Sequence, residues 1–188
     1  MTAHEIGHMA AAAFAGKRVC GVRVLPIGLH AFIEEVDCSD WKNIVIYTAG
    51  PLVNILLLSL VKNSYYLPET DNMRFFILLN LYLFIFNMMP ALPLDGGRLA
   101  RCLLSMMFGL YAADRLMGRS TIVLSLLLIL TGIIQFVHNP YNFSLLAMGA
   151  YLIFSLKSDG REAALMNVKQ IIYRRSRLLK KGIYAARD

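Results

Sequence analysis

Four long stretches that carry no charged residue constrain the fold of this chain more than any other feature of its sequence. They are residues 43–61, 75–94, 120–137 and 141–156, with lengths of 19, 20, 18 and 16 residues. An α-helix needs roughly 20 apolar residues to cross a bilayer core, and it satisfies its own backbone groups there. With two interrupted apolar segments, residues 1–15 and 99–113, the sequence predicts an α-helical polytopic membrane protein, a bundle of about five to six transmembrane helices.

The distribution of Lys and Arg predicts how this bundle is oriented. Residues 157–188 carry nine of them, which places this segment in the cytoplasm by the positive-inside rule. Apolar residues recur there at helical spacing, a pattern typical of an amphipathic helix on an anionic membrane surface. That position accounts for the net charge of +7, so no nucleic-acid partner is expected. We therefore expect a membrane domain over residues 1–156 and a cytoplasmic basic amphipathic helix or linker over 157–188.

Five residues near the N-terminus, His4-Glu5-Ile6-Gly7-His8, have the pattern of a zinc-dependent hydrolase. On a helix, His4 and His8 lie on one face and can reach one metal ion, with Glu5 beside that face as a general base. Asp95 supplies a carboxylate for a third ligand. The surrounding sequence is apolar, a setting in which ionisable residues are costly and tend to be functional. We predict one Zn2+ per chain, bound by His4, His8 and Asp95, with Glu5 as the catalytic residue.

Other interpretations of these residues stay open from sequence alone. The two histidines could be satisfied within their helix, and Asp95 could cap a helix that begins near Gly97. Asn54 and Asn87 could bind substrate backbone or stabilise an oxyanion, or they could form interhelical hydrogen bonds. The chain as a whole could be a non-catalytic zinc-binding membrane scaffold or a transporter-like protein, although the presence of Glu5 favours an enzyme.

The segment between the motif and the first uncharged stretch has a different character. Residues 19–26 and 29–34 mix β-branched residues with alternation, and Pro26 and Gly28 interrupt them. This pattern predicts a short membrane-associated β-hairpin after the motif helix. Its edge could align an extended substrate strand beside the metal, or the hairpin could simply lie at the membrane interface.

Taken together, these residues resemble the site-2 intramembrane metalloproteases of peptidase family M50, and within them the sporulation factor IVB-type branch. The resemblance rests on four motifs: HEIGH at 4–8, VRVLPIG at 22–28, AGPLVN at 49–54 and NMMPALPLDGGR at 87–98. It implies that His4, His8 and Asp95 bind zinc and that Glu5 is catalytic. It also implies six spans with both ends cytoplasmic, often followed by a CBS domain.

The resemblance further implies a zinc metalloendopeptidase in the bacterial cell membrane, where it would be an integral, multi-pass protein. Its substrate would be a membrane-associated precursor, in spore formers an inactive sigma factor with an N-terminal pro-segment. The expected partners are that substrate, the lipid bilayer and regulatory membrane proteins. Only three residues precede His4, so we also expect the N-terminus of the membrane domain to be truncated in this chain.

Overall fold

Six helices and one pair of strands make up the part of the chain that the structure describes. The computed structural model describes residues 2–17, 19–25, 28–33, 41–62 and 70–156. In chain order the elements are α1 (Thr2–Phe14), β1 (Val19–Leu25), β2 (Gly28–Ile33), α2 (Trp41–Lys62), α3 (Asp71–Asn87), α4 (Asp95–Phe108), α5 (Leu110–His138) and α6, described over Ser144–Leu156. Helix α2 packs against α1, α3 and α4, and α5 packs against α4. The N-terminal motif helix and α4 are thus brought to the same central helix.

Helices α2 and α5 have the length and apolar composition of membrane spans. Many of their apolar side chains face outward, and on α5 these include Leu126, Leu127 and Leu130. Contact with lipid accounts for so large an apolar surface, which is unusual for a protein surrounded by water. Helix α3 and the described part of α6 are shorter than the usual span. The count of five to six spans therefore stays a prediction.

The uncharged stretch at residues 75–94 is not one continuous helix. The sequence predicts a span there with Asp95 near its end, but α3 ends at Asn87. The seven residues that follow are not helical, because Pro90 and Pro93 lack the N–H that a helix interior needs and also restrict the residue before them. Asp95 instead is the first residue of the next helix, α4.

A second boundary also differs from the sequence pattern. Helix α5 begins at Leu110, ten residues before the uncharged stretch that starts at residue 120. Gly109 separates α4 from α5 and has a φ of +83°, which side-chain-bearing residues rarely adopt. The first third of α5 contains charged residues, so hydropathy alone does not reveal that it belongs to the same helix as the uncharged stretch.

Strands β1 and β2 form an antiparallel pair directly after α1. Val22 pairs with Ala31, and Leu25 pairs with Gly28. The pair occupies the segment for which the sequence predicts a hairpin, and it packs against α1. Residues 26–27 and the side chains of both strands lie outside the described part of the chain, as does the amphipathic helix predicted for residues 157–188.

Helices α1 and α2 approach each other closely beside the motif. A Cβ on Gly7 would lie 2.8 Å from Val53 Cγ2 and 3.1 Å from the carbonyl oxygen of Ala49, so only glycine allows this spacing. Further along, Ala12, Ile46, Tyr47 and Cys102 form a buried cluster that joins α1, α2 and α4. This packing fixes the motif helix against α2 and sets the distance between α1 and α4.

Candidate metal centre

Three side chains predicted as metal ligands meet between α1 and α4. Asp95 Oδ2 lies 2.9 Å from His4 Nε2 and 3.1 Å from His8 Nε2, and the two Nε2 atoms are 3.2 Å apart. Both histidines are buried, and the Asp95 side chain retains 15% exposure. His4, His8 and Asp95 therefore place one ligand atom each around a common point, although His4 and Asp95 are 91 positions apart in the sequence.

The donor set fits a zinc ion. Ligand atoms at roughly 2.1 Å from a tetrahedral zinc lie roughly 3.4 Å from one another. The observed separations of 2.9, 3.1 and 3.2 Å are slightly smaller, so a small outward movement of the side chains accommodates the ion. Three protein ligands leave a fourth position for water or substrate, as in catalytic rather than structural zinc sites.

The carbonyl of Ile46 fixes the tautomer of His8. His8 Nδ1 donates to this oxygen over 2.7 Å, so the neutral ring presents a lone pair at Nε2. That lone pair faces a carboxylate and a second imidazole, an arrangement that a bound cation stabilises. Pro51 lies further along α2 and offers no N–H to the carbonyl of Tyr47, the residue after Ile46.

Asn54 supports the second histidine. Its Nδ2 lies 3.2 Å from His4 Nδ1, and the residue is only 1% exposed. A neutral His4 that binds metal through Nε2 carries its proton on Nδ1. Rotation of the Asn54 side-chain amide by half a turn exchanges Nδ2 for Oδ1, which then accepts the hydrogen bond from His4 Nδ1. Of the two roles expected for Asn54, the structure thus supplies an interhelical hydrogen bond, and its partner is a metal-ligand candidate.

Gly50 is a site residue that the sequence analysis does not single out. A Cβ at this position would lie 2.2 Å from His8 Nε2 and 2.8 Å from His4 Cε1. Both imidazoles are therefore packed directly on the backbone of α2, and any side chain at residue 50 would displace them. The signals in the sequence are the AGPLVN motif at 49–54 and, within it, a Gly-Pro pair one turn before Asn54.

Glu5 and Asn87 differ in their relation to this centre. Glu5 is half-buried on α1, directly after His4 in the sequence. Asn87 is the half-buried last residue of α3, and none of the hydrogen bonds found among the described residues links its side chain to the three ligands. The catalytic role of Glu5 and the role of Asn87 therefore stay predictions.

The start of α4 holds Asp95 in place. Leu94, rather than Asp95, is the N-cap residue, so Asp95 lies in the first turn with its carboxylate turned to the histidines. Arg98, one turn later, places its guanidinium 5.9 Å from the centre of the Tyr47 ring on α2. The alternative in which Asp95 serves only as a helix cap does not describe this geometry.

Comparisons with known proteins find similar metalloproteases. Residues 69–131 match the sequence profile of peptidase family M50. A zinc metalloprotease of Methanocaldococcus jannaschii is 27% identical over 98% of this chain and 54% of its own length. Stage IV sporulation protein FB of Bacillus subtilis is 29% identical over 91% of this chain and 59% of its own. The chain thus spans little more than half the length of these relatives.

A solved structure resembles the fold as well. The site-2 protease from Methanocaldococcus jannaschii superimposes with a TM-score of 0.63 at 28% identity, over 84% of this chain and 72% of that one. The helical fold of the described residues is therefore similar to that of a site-2 protease. With the sequence matches, the chain is similar to the site-2 proteases and to peptidase family M50.

Proposed function

We propose that this chain carries the catalytic centre of an intramembrane zinc endopeptidase. The observation that carries the proposal is the convergence of His4 Nε2, His8 Nε2 and Asp95 Oδ2 on one point, with Glu5 on the same helix as the histidines. Relatives named zinc metalloproteases support the same metal and reaction class. The proposal concerns the whole protein, of which this chain corresponds to about half in the M. jannaschii relative.

The chemistry assigns a separate task to each residue. His4, His8 and Asp95 would hold a zinc ion, which would supply Lewis acidity for activating water and polarising a carbonyl group. The Glu5 carboxylate takes a proton from the attacking water and delivers it to the nitrogen of the leaving amine. Asn54 and the carbonyl of Ile46 hold the two imidazole rings in the orientation that this ligand set requires.

The substrate must present its scissile bond in an extended form. A helix buries its carbonyl groups in hydrogen bonds to the residue four positions on, whereas a strand leaves alternate groups accessible. The pair β1–β2 follows the motif helix and packs against it, which supports one of its edges as the docking strand for an unwound substrate. In this proposal, the substrate strand pairs with an edge of β1–β2 before its peptide bond is hydrolysed.

The location and substrate follow from the charge pattern and the relatives. Nine Lys and Arg residues in 157–188 support a cytoplasmic C-terminus, and with it a centre open toward the cytoplasmic side. The relative named for stage IV of sporulation supports a role in that process. We accordingly propose a membrane-associated precursor as substrate, with a pro-sigma factor as the first one to test, and regulatory membrane proteins as further partners.

The test is cleavage of a membrane-tethered precursor by the full-length protein and its Glu5→Gln variant, read on a gel alongside the zinc content of each. We expect cleavage by the first only, with zinc present in both, because glutamine cannot accept the proton. Asp71→Asn, at an exposed acid in the first turn of α3, is the matched control and should cleave normally.

The competing function is a non-catalytic zinc-binding scaffold. It predicts that the zinc-loaded wild type cuts none of a precursor panel that includes pro-sigma factors. It also predicts that Glu5→Gln leaves every measured property unchanged. Cleavage that continues at the wild-type rate in the Glu5→Gln variant would contradict the catalytic role of Glu5.

A further inference from the structure

The non-helical segment between α3 and α4, residues 88–94, is attached to α5 by two side-chain hydroxyl groups. Thr121 Oγ1 accepts a hydrogen bond from the N–H of Leu92 over 2.9 Å. Ser120 Oγ donates to the carbonyl oxygen of Pro90 over 2.6 Å. The other N–H groups of the segment bond within it or to the end of α3, so the N–H of Leu92 is the one that takes its acceptor from α5.

Thr121 is well suited to accept this bond. Its hydroxyl hydrogen is directed to the carbonyl oxygen of Met117, 2.8 Å away in the preceding turn of α5. The oxygen lone pairs are therefore free to receive the N–H of Leu92, and the side chain is fully buried. Loss of the hydroxyl would leave that N–H without its acceptor.

The segment is in direct backbone contact with the turn that carries Asp95. A Cβ on Gly96 would lie 2.3 Å from the carbonyl oxygen of Met88, and a Cβ on Gly97 would lie 2.3 Å from that of Ala91. The segment and the first turn of α4 therefore have no side chain between them that could absorb a shift. A displacement at Leu92 is transmitted to the start of α4.

Packing on the other side also limits movement. Ala91 and Leu94 are buried and form a cluster with Leu152 of α6. The segment is thus enclosed by α4, α5 and α6, with the two hydroxyl groups as its polar attachment. This packing and the two hydrogen bonds together restrict the backbone that precedes Asp95.

We propose that Thr121, with Ser120, is a positioning residue for the metal centre: the two hydroxyl groups fix segment 88–94 and thereby set Asp95 Oδ2 at its distance from His4 and His8. The proposal rests on the proposed function, because it assigns these residues to the metal site of that reaction. His4 and His8 come from α1, so Asp95 is the one predicted ligand that the attachment to α5 controls.

The experiment compares Thr121→Val, which keeps the shape and removes the hydroxyl, with Thr121→Ser, which keeps the hydroxyl. Thr131→Val is the matched control, since Thr131 Oγ1 also donates 2.8 Å to the carbonyl four residues before it on α5 but is exposed. Zinc affinity of the full-length protein in detergent is measured by chelator competition, and the ligand field is followed in the visible spectrum of the cobalt-substituted protein.

Thr121→Val should lower zinc affinity about tenfold, a size consistent with the loss of a group that holds a metal ligand in place, and should change the cobalt spectrum. Thr121→Ser and Thr131→Val should match the wild type in both. Wild-type affinity and spectrum in Thr121→Val would overturn the proposal, as would an equal loss in Thr131→Val. If Thr121→Val does not fold, Ser120→Ala decides: weakened zinc binding supports the proposal, and unchanged binding overturns it.

These readouts separate the two proposals. Zinc affinity and the cobalt spectrum do not require turnover. A wild type that binds zinc but cleaves no precursor would contradict the proposed function while leaving the comparison of Thr121 variants intact. Conversely, a proteolytically active wild type with an unaltered Thr121→Val variant would contradict only the positioning role.

Discussion

Gly50 lies directly beneath His8, so that a Cβ on this glycine would be 2.2 Å from the Nε2 atom that faces Asp95. The imidazoles of the metal centre therefore contact the backbone of α2 directly at Gly50. The site thus requires the close approach of α1 to α2, as the fold does. The same helix supplies the Ile46 carbonyl and the Asn54 side chain, which contact one histidine each.

Gly50→Ala should displace both imidazoles and weaken zinc binding by at least about tenfold, because overpacking of a tight contact costs about 1–3 kcal/mol. Gly118→Ala on α5 is the control, since a Cβ there would meet no atom within 4 Å. The measurement is zinc stoichiometry and affinity of both purified variants. Full zinc binding by Gly50→Ala would mean that α1 and α2 are further apart than the structure places them.

Substitutions at Asn54 distinguish support of His4 from contact with substrate. Asn54→Ala should lower zinc affinity about 10-fold to 100-fold, the range found for partners of metal ligands, whereas Asn54→Asp keeps an acceptor for His4 Nδ1 and should retain most of it. Parallel measurement of zinc affinity and cleavage is the check. Loss of cleavage in Asn54→Asp with unchanged zinc affinity would instead assign the amide N–H to substrate or oxyanion.

Removal of zinc should destabilise the packing between α1 and α4. Without the ion, the lone pairs of His4 and His8 face the Asp95 carboxylate, and the binding free energy of the metal no longer favours the folded state. A chelator should therefore lower the midpoint of thermal unfolding, and added zinc should restore it. Asp95→Asn should show the low midpoint with or without zinc, while Asp71→Asn should respond like the wild type.

The pairing of His4 with His8 can be predicted from the sequence because its geometry is local. Their spacing puts them on one helical face whatever surrounds them, whereas the approach of Asp95 to them depends on the packing of distant helices. Gly50 and the Ile46 carbonyl were not predictable in this way. Their roles depend on how closely α1 packs against α2, and a backbone carbonyl leaves no trace in sequence.

Helix boundaries show the same limit. The hydropathy of residues 75–94 is continuous, yet the helix ends at Asn87 because two prolines follow it. Hydroxyl groups in an uncharged stretch ordinarily bond to their own helix. Thr121 and Ser120 also bond to the irregular segment, so their proposed roles cannot be predicted unless that segment is known. A pattern of apolar residues predicts that a helix exists, but not which polar groups meet across two helices.

The ion pair between Arg101 and Asp114 should hold α4 against α5. Arg101 Nε donates to Asp114 Oδ1 over 2.5 Å, and both side chains are largely buried. Arg101→Met would leave the carboxylate without this partner in an apolar interface, at a cost of about 1–3 kcal/mol. Thermal unfolding in detergent should show a lower midpoint for Arg101→Met than for Arg115→Met, at an exposed arginine one residue after Asp114. Arg101→Met combined with Asp114→Leu should recover part of the loss, since it removes the unpaired charge. If the double variant loses as much stability as Arg101→Met and Asp114→Leu lose together, or more, the result would contradict a direct pair.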